Sequence, residues 1–323
     1  MENQMQAAVI YEAGGPEQLF VENRPIPQVK EGWSLVKVKG FGINHSEIFT
    51  RKGLSPSVQF PRILGIECVG EVVETTSNMF SVGQKVVSIM GEMGRDFDGS
   101  YAEYVLLPNQ QIFPISSSLD WSDLAAVPET FYTAFGAFEN LMVTESDRIL
   151  VRGATSGVGI AFMKLIKAKF PHIHITGTSR KSEKFSLLLE AGFDQVIEDR
   201  AGKLQTTAQF DKVLELIGPA TMMDTLKHVR ERGIVASVGQ LGGKWFLEDF
   251  DPIMALQNNV YLTTFYSGNV DGKKMQTMFD FIEEYSVEVH PEKIYTLPQI
   301  VEAHHYLESS NSYGKVVVIN QSL

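Results

Sequence analysis

One segment, residues 149–168 (ILVRGATSGVGIAFMKLIKA), constrains the fold more than any other part of the chain. An apolar stretch leads directly into Gly153, Gly157 and Gly159, and a second apolar stretch of helical character follows. Small side chains let the backbone approach a phosphate, and the N–H groups and dipole of a helix N-terminus bind an anion. The segment therefore predicts a strand, a phosphate-binding turn and a helix in one βαβ unit.

The sequence around this turn alternates between strands and helices. We predict strands at residues 148–152, 174–178, 195–197, 212–216, 233–238 and 260–265, and helices at 123–138, 157–170, 182–191 and 221–230. Several strands are apolar almost throughout, as expected of a parallel sheet with helices on both faces. Residues 123–265 are therefore predicted to form a doubly wound, six-stranded α/β domain that binds a dinucleotide.

The rest of the chain has a different pattern. Short stretches separated by Gly and Pro predict strands at residues 7–11, 34–41, 68–75, 85–89 and 102–107 of a mainly antiparallel domain. After residue 267 we predict helices at 274–285 and 300–308 and a terminal strand at 315–320. We assign these last elements to the same domain, so that residues 1–122 and 266–323 form the second, mainly β domain.

Charge and composition exclude several classes of function. With 28 Lys and Arg against 39 Asp and Glu, the formal net charge is −11, which argues against nucleic acid as a partner. No apolar stretch approaches the roughly 18–20 residues that span a membrane, and the first residues lack the pattern of a secretory signal. We therefore expect a cytoplasmic protein with no membrane partner. Cys68 is the only cysteine, which excludes an internal disulfide and a cysteine-rich zinc site.

The residues after the second strand of the α/β domain predict which dinucleotide binds. NAD-preferring domains carry an acidic residue there, which accepts a hydrogen bond from the ribose 2′-hydroxyl. Here the sequence is GTSRKSEK, in which Arg180 and Lys181 occupy the turn and Lys184 follows. Cationic side chains suit the 2′-phosphate of NADPH. We predict that the cofactor is NADPH and that its contacts include Ala154, Thr155, Ser156, Gly157, Val158, Ser179, Arg180 and Lys184.

Six further segments occur in a characteristic order: AAVIYEAGGPEQLFVENRPIP, GFGINHSEIFTRKG, PRILGIECVGEVVE, GSYAEYVLLP, VLELIGPATMMDTL and GKVVVIN. Together with the glycine turn, they resemble the medium-chain dehydrogenase/reductase superfamily, in its zinc-independent, quinone-oxidoreductase-like (zeta-crystallin-like) branch. The resemblance runs nearly from end to end. It implies an α/β protein with a GroES-like, mainly β catalytic domain and a Rossmann NADPH-binding domain.

The resemblance also bears on metal binding. In zinc-dependent relatives a Cys, a His and a second Cys hold the catalytic metal, and four further cysteines hold a structural zinc. This chain has Asn44 at the first ligand position and Ile66, followed by Glu67, at the second. Cys68 does not match a ligand position. We therefore predict no metal site.

The resemblance implies several residues at the active site. It places Asn44 beside the nicotinamide or the substrate oxygen, and Thr133 at the nicotinamide end. It further predicts that Ile217, Gly239 and Gln240 line the cofactor groove and that Asn311 and Lys315 approach the cofactor. Some relatives carry a tyrosine where this chain has Phe49, so Asn44, Phe49 and Phe60 are expected to line a largely apolar substrate pocket. His45 could serve as a proton donor in the reaction, but a loop histidine is more often a surface residue. We therefore assign no catalytic acid.

The leading functional hypothesis is NADPH-dependent hydride transfer to a quinone or an α,β-unsaturated carbonyl compound. Two alternatives remain: a ketone or aldehyde reductase, and a dinucleotide-binding sensor or structural protein with little turnover. GATSGVG also suits short-chain dehydrogenases, but no Tyr-x-x-x-Lys pair follows it. By resemblance, residues 260–265 (VYLTTF) are expected to pair across a two-fold axis in a homodimer.

Overall fold

The computed structural model describes residues 4–320. Its strands are β1 Gln4–Ile10, β2 Leu19–Pro25, β3 Trp33–Ile43, β4 Arg62–Ile63, β5 Glu67–Thr75, β6 Lys85–Ile89, β7 Tyr104–Pro108, β8 Phe113–Pro114, β9 Arg148–Arg152, β10 His174–Ser179, β11 Gln195–Arg200, β12 Lys203–Leu204, β13 Phe210–Glu215, β14 Val229–Ser237, β15 Tyr261–Thr263, β16 Lys293–Thr296 and β17 Val316–Ile319. Its α-helices are α1 His45–Arg51, α2 Trp121–Ala125, α3 Pro128–Leu141, α4 Gly157–Lys169, α5 Phe185–Ala191, α6 Met222–Thr225, α7 Pro252–Ala255, α8 Gly272–Glu284 and α9 Ile300–Glu308. None of these helices is both long enough and apolar enough to cross a lipid bilayer.

The chain forms two compact units. The first unit contains the residues up to Thr130, Gly268–Glu284 and the residues from Val289 onward, and the second contains Phe131–Ser267 and Tyr285–Glu288. The segment after residue 267 thus returns largely to the first unit.

The first unit is built on antiparallel strands. Its larger sheet has the order β16-β17-β3-β5-β6-β8, with β7 also paired to β3, and a smaller sheet has the order β2-β1-β4. The long strand β3 lies at the centre, because it pairs with β17, β5 and β7. A core that includes Val9, Phe41, Tyr101 and Val318 packs against these sheets. The carboxyl end of β3 is therefore held firmly between the neighbouring strands β5 and β17.

The second unit is a doubly wound α/β domain. Its sheet has the order β12-β11-β10-β9-β13-β14-β15, in which every neighbouring pair is parallel except the short β12, which is antiparallel to β11. The carboxyl ends of β9, β10, β13 and β14 meet at one edge of this sheet. Ligands of doubly wound sheets bind at that edge. This architecture confirms the predicted fold class.

Two predicted helices were wrong in detail. The helix predicted at residues 123–138 is divided into α2 and α3, because Pro128 begins α3 and a proline disfavours helical geometry in the residue before it. In place of the helix predicted at 221–230, α6 ends at Thr225 and a 3₁₀ turn follows at Leu226–His228. Val229 already belongs to β14, where it is buried and pairs with Phe210.

Candidate active site

The glycine turn of the second unit joins β9 to α4. Gly153 has a φ of +90°, a left-handed conformation that favours glycine. The hydroxyl of Ser156, the N-cap of α4, accepts a hydrogen bond from the N–H of Gly159 at 3.1 Å and donates to the carbonyl of Gly153 at 2.9 Å. The N–H groups of Gly157 and Val158 lie in the first helical turn, which has no acceptor of its own within the helix. This arrangement suits a pyrophosphate.

The loops after β13 and β14 lie beside this turn. The carbonyls of Leu216 and Ile217 accept hydrogen bonds from the N–H groups of Leu241 and Gly242, at 3.1 and 2.9 Å. A methyl group built on Gly153 would lie 3.2 Å from Cδ1 of Ile217. The structure thus brings the predicted residues Ile217, Gly239 and Gln240 to the same sheet edge as Ala154, Thr155, Ser156, Gly157 and Val158.

Glu215, which the sequence pattern did not single out, shapes one of these loops. Its carboxylate is buried at the end of β13 and accepts hydrogen bonds from the N–H groups of Ile217 and Gly218, at 2.8 and 3.0 Å. Thr225 donates a further, very short hydrogen bond to the second carboxylate oxygen. Burial raises the pKa of Glu215, and the hydrogen bond from Thr225 and the charge of Arg152 oppose that shift. An acidic residue at the end of an otherwise apolar strand was the signal that could have identified it.

Positively charged side chains follow β10. Ser179, the last residue of this strand, accepts a hydrogen bond from the N–H of Lys181 at 3.1 Å and thereby shapes the turn that contains Arg180. Burial lowers the pKa of Lys184, and the nearby charges of Lys181 and Arg180 lower it further. Three cationic groups are therefore close enough to interact. A phosphate dianion among them would relieve their mutual repulsion.

A second group of polar side chains lies in the first unit, at the carboxyl end of β3. The side-chain amide of Asn44 donates to Oε1 of Glu67 at 2.9 Å. Nζ of Lys315 donates to Oδ1 of Asn44 at 2.7 Å and to Oε1 of Glu67 at 2.6 Å. Asn44 follows β3, Glu67 begins β5 and Lys315 precedes β17, so strand pairing brings them together. We call these three residues the Asn44–Glu67–Lys315 cluster.

Gly42 provides the space for this cluster. A methyl group built on Gly42 would overlap Cε and Nζ of Lys315 and Oε1 of Glu67. The φ of Gly42 is not in the left-handed region, so the backbone itself would accept another residue. Glycine is needed here because the lysine and glutamate side chains pass directly over the strand.

Glu47, in the first turn of α1, lies beside the cluster. Its carboxyl group is buried and accepts hydrogen bonds from the N–H groups of Asn44 and Ile66, each at 3.2 Å. Burial and the negative charge of Glu67 raise the pKa of Glu47 to about 8, although the charge of Lys315 opposes this. Glu47 is therefore mostly protonated at neutral pH.

The other predicted residues lie at separate places. In the second unit, Thr133 is buried in α3. In the first unit, Phe49 is half-buried in α1, and Phe60 packs against the apolar core. Asn311 is exposed in the loop after α9, where its N–H donates to the hydroxyl of Ser309 at 3.3 Å. Their roles toward substrate and cofactor stay predictions.

His45 is a poor proton donor in this setting. It is the first residue of α1 and is half-buried. Burial lowers its pKa below the ordinary value of 6.5, with a smaller opposing contribution from Glu308. The imidazole is therefore mostly neutral at physiological pH.

Comparisons with known proteins agree with this architecture. Residues 30–117 match the family described as alcohol dehydrogenase GroES-like domain, and residues 191–318 match the family described as zinc-binding dehydrogenase. The quinone oxidoreductase of Homo sapiens is 27% identical over 250 residues, which cover 74% of each chain. These matches confirm the predicted resemblance to the quinone-oxidoreductase-like branch of the medium-chain dehydrogenase/reductase superfamily.

Solved structures share the fold of this protein. The quinone oxidoreductase from Coxiella burnetii superimposes with a TM-score of 0.83 at 23% identity, over 98% of this chain and 100% of that chain. A mycobacterial protein complexed with NADPH gives a TM-score of 0.81 at 24% identity, over 98% of this chain and 99% of that chain. The predicted resemblance and the dinucleotide-binding fold are thus confirmed. The curated relatives identify the protein, at this coarse level, as an oxidoreductase.

Zinc-dependent medium-chain dehydrogenase/reductases need a set of ligands that this chain does not present. Ile66 has no ligand atom in its side chain, and burial together with the charge of Glu67 raises the pKa of Cys68 to about 12, which disfavours the thiolate that binds a metal. Within residues 4–320, no three His, Cys, Asp or Glu side chains form a group that could hold a metal ion. Beside Asn44 and Glu67 lies the ammonium group of Lys315, which would repel a cation. The residues at this place do not fit a zinc ion.

Proposed function

We propose that this protein is an NADPH-dependent oxidoreductase that transfers a hydride to a quinone or an α,β-unsaturated carbonyl compound without a metal ion. The observation that carries the proposal is the cationic turn after β10, in which Arg180 and Lys181 stand where an NAD-binding domain carries an acid. The lowered pKa of Lys184 in the same turn supports an anionic ligand there. The family supplies the reaction class, oxidoreduction.

The second unit would hold the cofactor. The N–H groups of the glycine turn would bind the pyrophosphate, and Arg180 with Lys184 would bind the 2′-phosphate. Ile217, Gly239 and Gln240 would line the groove, and Thr133 would contact the nicotinamide end. When bound, NADPH supplies a hydride to an electron-poor carbon, so that the acceptor's oxygen gains negative charge and then takes a proton from water.

A conjugated acceptor fits the first unit better than an isolated ketone. Asn44, Ile66 and Glu67 do not provide the ligands of a zinc ion, which would polarise a simple carbonyl. A quinone or enone spreads the arriving charge over several atoms and needs less polarisation. Phe49 and Phe60 would contribute apolar surface to bind its ring or chain.

NADPH oxidation with a panel of acceptors tests this function. The panel is para-benzoquinone, an aliphatic enone and the saturated ketone that corresponds to the enone, each with NADPH and with NADH, before and after dialysis against a chelator. We expect NADPH to be oxidised with the quinone or the enone, and the chelator to change nothing. Faster reduction of the saturated ketone would favour a carbonyl reductase. Tight NADPH binding with no turnover above background would favour a sensor.

We further propose that the protein is a homodimer. Its supporting feature is β15, which lies at the end of the second unit's sheet, with Tyr261 and Tyr266 exposed nearby. An edge strand with exposed aromatic residues is suited to pairing with a second copy. Sedimentation should show a dimer at micromolar concentration. A monomer at that concentration would contradict the proposal.

The location and partners are proposals of the same kind. We propose a cytoplasmic enzyme that acts on small molecules and binds neither nucleic acid nor membranes. The acidic net charge of −11 supports this proposal, because anionic surfaces repel phosphate backbones and anionic lipids. Cell fractionation with an antibody against the protein tests the location. Recovery mainly with membranes or nucleic acid would contradict it.

A further inference from the structure

The Asn44–Glu67–Lys315 cluster leads to one inference, which rests on the proposed function and names a catalytic residue for it. We propose that the ammonium group of Lys315 binds the carbonyl oxygen of the acceptor and stabilises the negative charge that develops there during hydride transfer. Asn44 and Glu67 are the positioning residues that hold Lys315 in place.

The hydrogen bonds of Lys315 leave it one donor for a ligand. An ammonium group has three N–H donors. In the described part of the chain, its hydrogen bonds are those to Oδ1 of Asn44 and Oε1 of Glu67, at 2.7 and 2.6 Å. The third N–H is available to an oxygen atom of the substrate. Asn44 is only half-buried, so the cluster lies close to the surface of its unit.

The two positioning residues are themselves held in place. Oε1 of Glu67 accepts hydrogen bonds from Asn44 and Lys315, and Oε2 accepts one from the N–H of Glu129 at 2.9 Å. Glu67 therefore cannot turn away from the lysine without losing all three. Asn44 is fixed from the other side, because its backbone N–H donates to Glu47. The ammonium group is oriented before any substrate arrives.

The surroundings of Lys315 preserve the effect of its positive charge on a bound oxygen atom. The side chain of Lys315 is 7% exposed and that of Glu67 is fully buried, so water screens their charges only weakly. Glu47 is mostly protonated at neutral pH and adds no second full negative charge. A positive group preorganised in such a site stabilises a developing oxyanion far better than the same group in water.

A purely structural salt bridge between Lys315 and Glu67 is the competing explanation. Removing the lysine alone would not separate the two, because an unpaired buried carboxylate would itself destabilise the fold. The decisive variant is therefore the double change Lys315→Met and Glu67→Gln, which removes both charges and keeps the side-chain lengths similar. Lys293→Met, at an exposed lysine of the neighbouring strand β16, is the matched control.

The experiment measures four quantities for wild type, the double variant and the control: the melting temperature, the Kd for NADPH, kcat with para-benzoquinone, and the Kd of the NADP⁺-saturated protein for 4-nitrophenolate. The last probe is an oxyanion and reports on the site without turnover. We expect the double variant to fold, and kcat is compared at saturating NADPH so that any change in the Kd for NADPH is separated from it. Its kcat should fall by roughly 100- to 1000-fold, the range found when one oxyanion-stabilising group is removed. Its binding of 4-nitrophenolate should weaken at least about tenfold.

Each other outcome has a definite meaning. A folded double variant whose kcat and 4-nitrophenolate binding stay within about threefold of wild type overturns the role of Lys315 and leaves the proposed function intact. A double variant that does not fold is replaced by Lys315→Arg, which keeps the charge but cannot present it from the same point. Unchanged kcat in that variant also overturns the inference. If wild type binds NADPH but reduces no acceptor, the proposed function fails and the inference fails with it.

Discussion

The glycine turn of the second unit and the Asn44–Glu67–Lys315 cluster of the first unit are assembled in opposite ways. The turn takes its residues from one short segment, Gly153 to Gly159, and uses mainly backbone N–H groups. The cluster joins residues that are 23 to 271 positions apart in the chain and uses side chains alone. Local geometry is enough to build the first site, whereas the second exists only when β3, β5 and β17 are in register.

This difference has an energetic consequence. The turn and the cationic side chains after it lie partly in solvent, where charges are screened and each contact contributes modestly. The cluster is buried, so each charge there must be balanced by a partner or neutralised by a proton. Changes in the cluster should therefore have larger effects than changes in the turn.

The largest expected effect concerns the pH dependence of stability through Glu47. Its pKa is raised from 4.5 to about 8, so the folded protein holds a proton that the unfolded chain has released over this range. This contribution to stability is complete below about pH 4.5 and is lost as the pH rises through about 8. The charged groups facing Glu47 are Glu67 and Lys315, and the hydroxyl of Tyr101 nearby stays neutral because burial raises its pKa.

The test compares wild type with Glu47→Gln in urea unfolding at about pH 5.5 and about pH 8. Wild type should lose stability relative to the variant with rising pH, by up to about 1.4 kcal/mol per pH unit. Glu74→Gln, at an exposed position of β5, should follow wild type throughout. Parallel curves for wild type and Glu47→Gln would show that Glu47 does not titrate as a buried acid.

Gly42→Ala should disable the cluster without removing any of its members. The added methyl group overlaps the ammonium group of Lys315 and one carboxylate oxygen of Glu67, so both must move. We expect kcat for quinone reduction to fall by about 100-fold, with NADPH affinity unchanged. The overlap should also cost about 1–3 kcal/mol of stability.

Stopped-flow kinetics and NADPH titration measure these effects. The control is Gly272→Ala at the start of α8, where the added methyl group meets one ring carbon of Phe113 at 3.2 Å. If Gly42→Ala keeps full kcat, the position of the ammonium group is unimportant for catalysis. The cluster would then differ from the glycine turn in how it is built but would have no part in catalysis.

Arg180→Ala tests the cationic turn. Because charge-assisted hydrogen bonds contribute about 1.5–3 kcal/mol, loss of the guanidinium should raise the Kd for NADPH by about 10- to 100-fold. The Kd for NADH should change by less than about threefold. Fluorescence titration at low and high salt measures both, and the loss should be smaller at high salt because these groups are screened. Arg200→Ala, at an exposed arginine of β11, is the control. Equal losses for the two cofactors would contradict the assignment of NADPH.

The contrast between a locally built turn and a cluster built from distant strands explains which features the sequence could predict. Strand β6, strand β9 and helix α9 have the predicted bounds, because their patterns of apolar residues are local. The glycine turn was predicted from the spacing of three glycines ahead of an apolar helix. The family resemblance and both domain architectures were also recognisable, since the motifs keep a characteristic order.

What the sequence could not predict depends on contacts between distant strands. Val229 was assigned to a helix from its neighbours, but pairing with Phe210 places it in a strand. Glu47 and Gly42 were missed because neither residue is unusual in its own segment. Each acquires its role only where β3, β5 and β17 bring Glu67 and Lys315 to the same point.

The smallest expected effect is that of Ser156→Ala in the glycine turn. The Ser156 hydroxyl makes two hydrogen bonds within the turn, and losing an N-cap side chain typically costs about 1 kcal/mol. The backbone N–H groups proposed to hold the pyrophosphate remain, so the affinities for NADPH and NADH should fall together, by no more than about fivefold. Asp120→Ala removes the N-cap of α2 in the first unit, where the carboxylate accepts from the N–H of Asp123 at 2.9 Å. It should cost similar stability in thermal unfolding while both cofactor affinities stay unchanged. If Ser156→Ala abolished cofactor binding, the turn would depend on its side chain rather than its backbone, and the proposed contrast between the two sites would not hold.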